Sequence, residues 1–491
     1  GATPPQVRTD HAPRNVLGKS VYHRQGCQPG EHAPSARQNT TDLVTLKKAA
    51  LWTDSRYYLQ AETQLDCNWV LMRSDVVSSD PRIVVWRDWT SWEAEFKNAD
   101  LKMELHLQNL VDLIWGNDEG RPPYPNVPLF SLDTKYTGKS WQTKLADIRK
   151  TMAENSAQVV VLSALDEIAW TLNLRGGDVP FTPVFRAYLM IGEDWATVYL
   201  PADKVVSDIE DHLNSKGVDN GDSIKIKDYD DIWDDIGLLD PGYYRIWLPD
   251  RYSYAGGVSY LLYKLTPEGK AMLKTSPALL MKDYKNEIEV EGMHNAHIRD
   301  AVALCQFLSQ VESELDNLRK QQALSLGPSF ETIAAFGPNS ALPHYVPTTV
   351  TNRVIDNSSL FMVDSGGQYL DGTTDVTRTV HFGTPTERER EIYTHLLMGC
   401  IDIASSLLTP HIIKTSLDHK PLDNSTYLTF EPVTLVPYES MLINPDLMSK
   451  RQLLWLNNYH DKVREIVGSE MLRQNLKGPY EWLLQKTLPI S

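Results

Sequence analysis

Two carboxylates stand where chemistry could be done. Asp364 ends an apolar run, Phe361-Met362-Val363-Asp364, and Asp375 lies on what reads as the return strand, Thr374–Phe382. Between them, Asp371-Gly372 has the turn chemistry of a hairpin, because glycine tolerates the positive φ that a tight turn demands. Closing that hairpin brings the two acids together. Two unpaired carboxylates in an apolar setting repel each other and are costly to bury. A divalent cation between them removes the cost, so the pair reads as half of a metal site. The same residues allow a structural reading, in which one aspartate caps the turn and the other pairs with Arg378. His344, flanked by Pro343 and Pro347, reads by itself as a loop histidine at a bend.

The elements that would position these groups follow from hydrophobic periodicity. Order is expected to begin at Leu43–Leu46, followed by a strand at Ala49–Trp52 and a helix over Tyr57–Leu65. Arg121-Pro122-Pro123-Tyr124-Pro125-Asn126-Val127-Pro128 is a linker, since prolines so dense fit neither a helix nor a central strand. Trp141–Ala153 has helical spacing with Leu145, Ile148 and Met152 on one face. Val159–Leu162 reads as a buried strand, Asp166–Leu172 as a short helix, and Ala187–Ile191 and Ala196–Leu200 as strands. Strands alternating with helices predict an α/β (α+β) architecture. Glu289–Gln321 reads as one long helix whose stripe is Ile298, Ala301, Val302, Cys305 and Leu308, and Glu387–Leu408 as another.

Composition excludes several functions. A formal net charge of −16 repels phosphate backbones, and no basic patch offsets it, so a nucleic-acid partner is not expected. Cys27, Cys67, Cys305 and Cys400 include no CxxC pair, which argues against a cysteine zinc site. No window approaches the apolar length of a transmembrane segment. The chain begins Gly-Ala-Thr-Pro-Pro without Met or an apolar signal core, as a mature or fragment end would. Three glycosylation sequons, at Asn39, Asn357 and Asn424, lean toward secretion.

The hairpin string, Val363-Asp364-Ser365-Gly366-Gly367-Gln368-Tyr369 followed by Asp371-Gly372-Thr373-Thr374-Asp375-Val376-Thr377-Arg378-Thr379, resembles that of the Xaa-Pro aminopeptidases, a pita-bread metallopeptidase family. Leu51–Tyr57 and Leu65–Trp69 resemble the N-terminal domain of the membrane-associated branch. Ala164–Trp170 with Asn173–Arg175 resembles the second domain. Ala296–Ala303, Gly327–Ile333 and His344-Tyr345 resemble the catalytic domain, and Trp455–His460 its C-terminal extension. Residues 1–41, rich in Pro, Gly, His, Arg and Gln without a helical or strand period, read as a disordered or aberrant arm, and the resemblance implies a truncated creatinase-like domain over 42–125 and a second creatinase-like domain over 126–281. A partial pita-bread peptidase domain over 282–425 and its extension over 426–491 would follow. Creatine amidinohydrolases and prolidases share this architecture, but Trp52–Arg56 and the three-domain layout favour the aminopeptidase.

By that resemblance Asp364 would be a terminal ligand and Asp375 a bridging ligand of a two-manganese centre, with His344 contacting the substrate near its scissile carbonyl. The implied reaction is release of the N-terminal residue from peptides with proline second, by a homodimer placed outside the cell or at a membrane. The family's His-Gly-Thr-Gly-His-Gly-like segment, its glutamate before Pro-Gly and its last glutamate have no counterpart string, so three of five ligands are missing. The sequence passes from Ser405–Thr409 almost directly to Tyr427–Pro432, which resembles the strand after the site. By that comparison on the order of 100 residues are absent there, a large part of a domain. His411 and His419 at the junction match no family ligand. The expectation is impaired or absent hydrolysis and, at most, weak binding of one ion. The alternative is a non-catalytic family member or incomplete isoform that dimerises or binds partners.

Overall fold

The computed structural model describes residues 40–44, 49–53, 69–72, 76–98, 101–116, 120–217, 223–240, 242–243, 245–251, 256–310, 315–406 and 430–491. The helix expected over Tyr57–Leu65 and the junction with His411 and His419 lie outside these residues. The chain divides into two compact units, Gly1–Leu110 and Val111–Ser491.

In the first unit, β1 (Thr40–Val44) pairs antiparallel with β2 (Ala49–Thr53), and β2 pairs parallel with β3 (Trp69–Met72). The first strand thus starts at Thr40, inside the segment expected to be an arm. β4 (Val76–Ser79) and β5 (Lys102–Leu105) pair in parallel, and α1 (Trp86–Asn98) supplies the crossover that a parallel pair requires.

The second unit opens on the proline-rich linker and α2 (Trp141–Glu154). Ser140 caps this helix by accepting from Thr143 N, and Leu145, Ile148 and Met152 are buried as their spacing predicts. A six-stranded mixed sheet follows. Its strands are β6 (Val159–Leu162), β7 (Tyr188–Gly192), β8 (Ala196–Leu200), β9 (Lys225–Asp228), β10 (Ile246–Pro249) and β11 (Ala271–Lys274), arranged in space as β9-β8-β7-β6-β10-β11. β6 is central and buried on both faces, which is why its sequence is a continuous apolar run rather than an alternating one. The linker is held to this layer by Lys204. Its ammonium donates to Asp178 Oδ1 (2.6 Å), Val127 O (2.8 Å) and Pro125 O (3.0 Å), and both side chains of the ion pair are 1% exposed.

Helix α3 (Leu165–Leu172) carries a buried acid. Glu167 Oε2 accepts from Ser276 Oγ at 2.5 Å, while Oε1 has no hydrogen-bond partner among the described residues. Burial pushes this carboxyl up from 4.5 to about 7, against the Ser276 bond, and the charge of Asp166 adds to the rise. Below pH 4.5 both folded and unfolded chains hold the proton. As pH rises toward 7 the unfolded chain releases it first, so stability falls, and above pH 7 the full penalty persists. Glu167→Gln is therefore expected to stabilise the fold by about 2–3 kcal/mol at pH 8 and hardly at all at pH 4.5. Urea unfolding at the two pH values checks this, and equal gains at both would contradict it.

From residue 287 onward the α-helices and strands are α4 (Glu287–Gln310), α5 (Leu315–Lys320), β12 (Ser325–Pro328), β13 (Ile333–Phe336), β14 (Leu360–Ser365), β15 (Gly367–Tyr369), β16 (Gly372–Thr373), β17 (Val376–His381), α6 (Glu387–Ala404), α7 (Lys450–Arg473) and α8 (Lys477–Lys486). The single helix expected over Glu289–Gln321 is two. In one straight helix Asp300 and Arg319 would stand about 28 Å apart at 1.5 Å per residue. They instead form a buried ion pair, Arg319 Nε to Asp300 Oδ1 at 2.6 Å, so the chain turns back after Gln310. The expected strand around Glu431-Pro432 is not formed at those two residues; Glu431 pairs instead with Lys462 of α7.

Helix α6 starts at a capping box, Thr386 with Glu389, and ends at Ala404 rather than Leu408. Thr394, Leu397 and Ile401 are its buried residues. Its outer face keeps an apolar stripe, with Ile392 46%, Leu396 68% and Ile403 67% exposed and open space beside Gly399.

Candidate metal centre

β14 is the middle strand of the sheet β13-β14-β17, antiparallel to both neighbours. Side chains alternate between faces along a strand, and residues directly opposite share a face. Asp364 stands opposite Ile333 on one side and Thr377 on the other, so these three share a face with Met362. Phe361, Val363, Val376 and Val380 take the other face and join the core built by Ala301, Val302, Cys305 and Leu308 of α4. One face of the hairpin is thus packed, and the acids belong to the other. The nested pair β15 and β16 closes the turn at Leu370-Asp371, one residue before the expected Asp371-Gly372, because Gly372 pairs with Tyr369.

Thr377 Oγ1 donates to Asp364 Oδ1 at 2.7 Å. Asp375 precedes β17 by one residue and has the same parity as Thr377, so it projects toward the face that carries Asp364. It is exposed, yet the protein beneath it raises its carboxyl above the usual aspartate value, and the like charge of Asp364 raises it further. The hairpin therefore brings the two acids within range of each other's charge.

The structural alternative is not realised. Arg378 lies on the opposite parity and donates to Val436 O from Nε (3.1 Å) and Nη2 (2.7 Å), to Tyr459 Oη (3.0 Å) and to Thr377 O (2.8 Å). The Tyr438 ring lies 4.4 Å from its guanidinium carbon. It is a half-buried cation held by carbonyls and rings, with neither aspartate as partner. Asp371, at the hairpin tip, is the acid that finds an arginine, Arg299 of α4.

His344 sits in an exposed loop position. Its neighbour Tyr345 is buried against Ile333, Ala335 and Met362 and donates to Thr351 O at 3.0 Å. Ile333 and Met362 belong to the acid-bearing face, so Tyr345 anchors the His344 loop over that face.

Sequence reasoning missed the polar network beneath the hairpin. Arg319 Nε and Nη2 grip the two oxygens of Asp300 (2.6 and 3.2 Å), and Nη1 donates to Ser365 Oγ, next to Asp364. Tyr369 Oη donates to Asp300 Oδ1 at 3.1 Å, and Thr332 Oγ1 shares a hydrogen bond with Ser365 Oγ at 2.8 Å. Burial and then the charge of Asp300 push the Tyr369 phenol up, so it stays a donor. A signal existed. Asp300 precedes Leu304 and Leu308 by one and two helical turns, an acid in an apolar stripe.

Over 555 aligned residues the chain is 33% identical to Xaa-Pro aminopeptidase 2 of Sus scrofa, a match covering 91% of this chain and 81% of the relative. The chain belongs to the Xaa-Pro aminopeptidase family. Xaa-Pro aminopeptidase 2 of Homo sapiens is 32% identical over 92% of this chain and 82% of its own length. Three family descriptions match in succession: the Creatinase/Prolidase N-terminal domain at 120–289, metallopeptidase family M24 at 286–420, and the C-terminal region of peptidase M24 at 426–490. The crystal structure of X-prolyl aminopeptidase from Caenorhabditis elegans, described as a cytosolic enzyme with a di-nuclear active site, superposes with a TM-score of 0.76. It is 25% identical and covers 92% of this chain and 90% of that one. The α/β fold is thus the pita-bread aminopeptidase architecture behind a creatinase-like domain.

The alignment with the Sus scrofa relative is longer than this chain, 555 residues against 491, so that Xaa-Pro aminopeptidase carries segments with no counterpart here. Among the described residues, no group of three or more His, Cys, Asp or Glu side chains is arranged to hold an ion. Two carboxylates on one hairpin give too few donors to fix two ions and leave a defined open position. The residues described do not fit a dinuclear centre.

Proposed function

We propose that this chain is a non-hydrolysing member of the Xaa-Pro aminopeptidase family, retaining the scaffold and one carboxylate pair of the metal hairpin. The observation that carries this reading is the donor set: Asp375, one residue before β17, lies within range of the charge of Asp364 on β14, and no third ligating side chain joins them among the described residues. Hydrolysis of a peptide bond by a metal pair requires ions that activate water and polarise the carbonyl, and a site too poor in ligands does neither. What the scaffold keeps is a surface for peptides with proline second, with the His344 loop anchored by Tyr345 beside the acids.

The test is metal analysis joined to a turnover assay. Purified protein equilibrated with manganese is expected to retain less than one equivalent after gel filtration. Its cleavage of a peptide with proline in second position should match that of Asp364→Asn. Two retained equivalents together with turnover that Asp364→Asn abolishes would overturn the proposal and restore the full peptidase reading.

A further inference from the structure

We propose that Asn357 is an acceptor for an N-linked oligosaccharide. Asn357-Ser358-Ser359 has the required spacing, an amide two residues before a hydroxyl with no proline between. Of the three sequons in the chain, this one lies within the described residues, and both Asn357 and Ser358 are exposed at a bend just before β14. A glycan is bulky and hydrated and has to leave the surface straight into solvent. This site allows that.

The bend is pinned through its backbone while the asparagine side chain faces water. Asp356 Oδ1 accepts from Ser358 N at 2.8 Å and from Ser358 Oγ at 2.6 Å. Gly383 lies so close that a Cβ there would sit 2.1 Å from Asn357 O. The residues just before the sequon leave apolar surface uncovered, with Val350 90%, Val354 83% and Ile355 40% exposed. A hydrated glycan beside them would shield a patch that otherwise invites association. Within β14 the step from Leu360 to Asp364 alone spans about 13 Å at 3.3 Å per residue, and Asn357 lies in the bend before that strand, so the glycan would leave the acid-bearing end open.

The co-reactant is a lipid-linked oligosaccharide pyrophosphate. The amide nitrogen of Asn357 forms a bond to the sugar C1, the bond from C1 to the pyrophosphate oxygen breaks, the lipid pyrophosphate leaves, and the amide gives up one proton. Nothing is oxidised or reduced. This inference is independent of whether the chain hydrolyses peptides.

The full chain, expressed in a eukaryotic host behind a cleavable secretory leader, would be resolved by gel and mass spectrometry before and after endoglycosidase. Asn357→Gln and Ser359→Ala are each expected to remove one endoglycosidase-sensitive step, and Ser359→Thr to raise its occupancy. Oligosaccharide transfer precedes folding, so the step is read in the cell-retained fraction as well as in the medium, and a variant that fails to fold still reports. A ladder unchanged by Asn357→Gln, or wild-type protein without glycan at residue 357, would overturn the proposal.

Discussion

Arg319→Met is expected to destabilise the second unit by about 3–5 kcal/mol, because it leaves the Asp300 carboxylate buried without its cation. The pair is 1% exposed on both sides, so water cannot replace the lost guanidinium. Tyr369 would still donate to Asp300, but a single neutral hydroxyl does not offset a buried charge. Ser365 would lose its arginine as well, loosening the strand end that carries Asp364. Equilibrium urea unfolding measures the loss. Arg319→Met combined with Asp300→Asn should recover a large part of it, since the uncompensated charge goes with the second change. A loss under about 1 kcal/mol would mean that the pair is bystander packing, the size expected of an exposed ion pair. Hydrogen exchange localises the effect, with faster exchange expected at Ser365, Gly366 and Gly367 and little change in the six-stranded sheet.

Lys204→Met is expected to cost a similar amount, about 3–5 kcal/mol, for the same electrostatic reason and with a different geography. Three acceptors lose one donor each: Asp178, Val127 O and Pro125 O. Among the described residues Asp178 then keeps the Arg186 amide, which donates to Oδ2 at 2.9 Å. A proline-rich segment has few amides of its own with which to pair, so its carbonyls depend on an outside cation. Hydrogen exchange should rise at Asn126, Val127 and Leu129 while the hairpin stays protected. Asp178→Asn with Lys204→Met should again recover part of the loss. Wild-type exchange along the linker in Lys204→Met would show that prolines alone hold that path.

Much of this architecture could be read from the sequence, and the parts that could not share a cause. The helix at Trp141–Glu154 and the strand at Val159–Leu162 declare themselves because periodicity and burial are local properties. The hairpin was legible from Asp371-Gly372 between apolar runs, and its parity follows once the register is known. The break between α4 and α5 was not legible, because an apolar stripe continues across it and the turn is enforced by a contact between Asp300 and Arg319. Arg378 was misjudged in the structural alternative for a related reason. An arginine near two aspartates suggests an ion pair, whereas strand alternation sends it to the far face, where carbonyls and tyrosines receive it. Glu167 sat inside a helix motif as an ordinary acid, and only burial reveals that its charge is unwelcome.

The uncovered stripe of α6 bears on how copies of the molecule treat one another. Ile392, Leu396 and Ile403 form an oily flank with a dip at Gly399, which water must wet in the lone chain. Copies bearing a formal charge of −16 hold one another off, but that repulsion reaches only about 10 Å in 0.1 M salt. Raising the ionic strength silences the deterrent and leaves the flank untouched, so concentrated, salty solutions are where the protein's colloidal patience runs out.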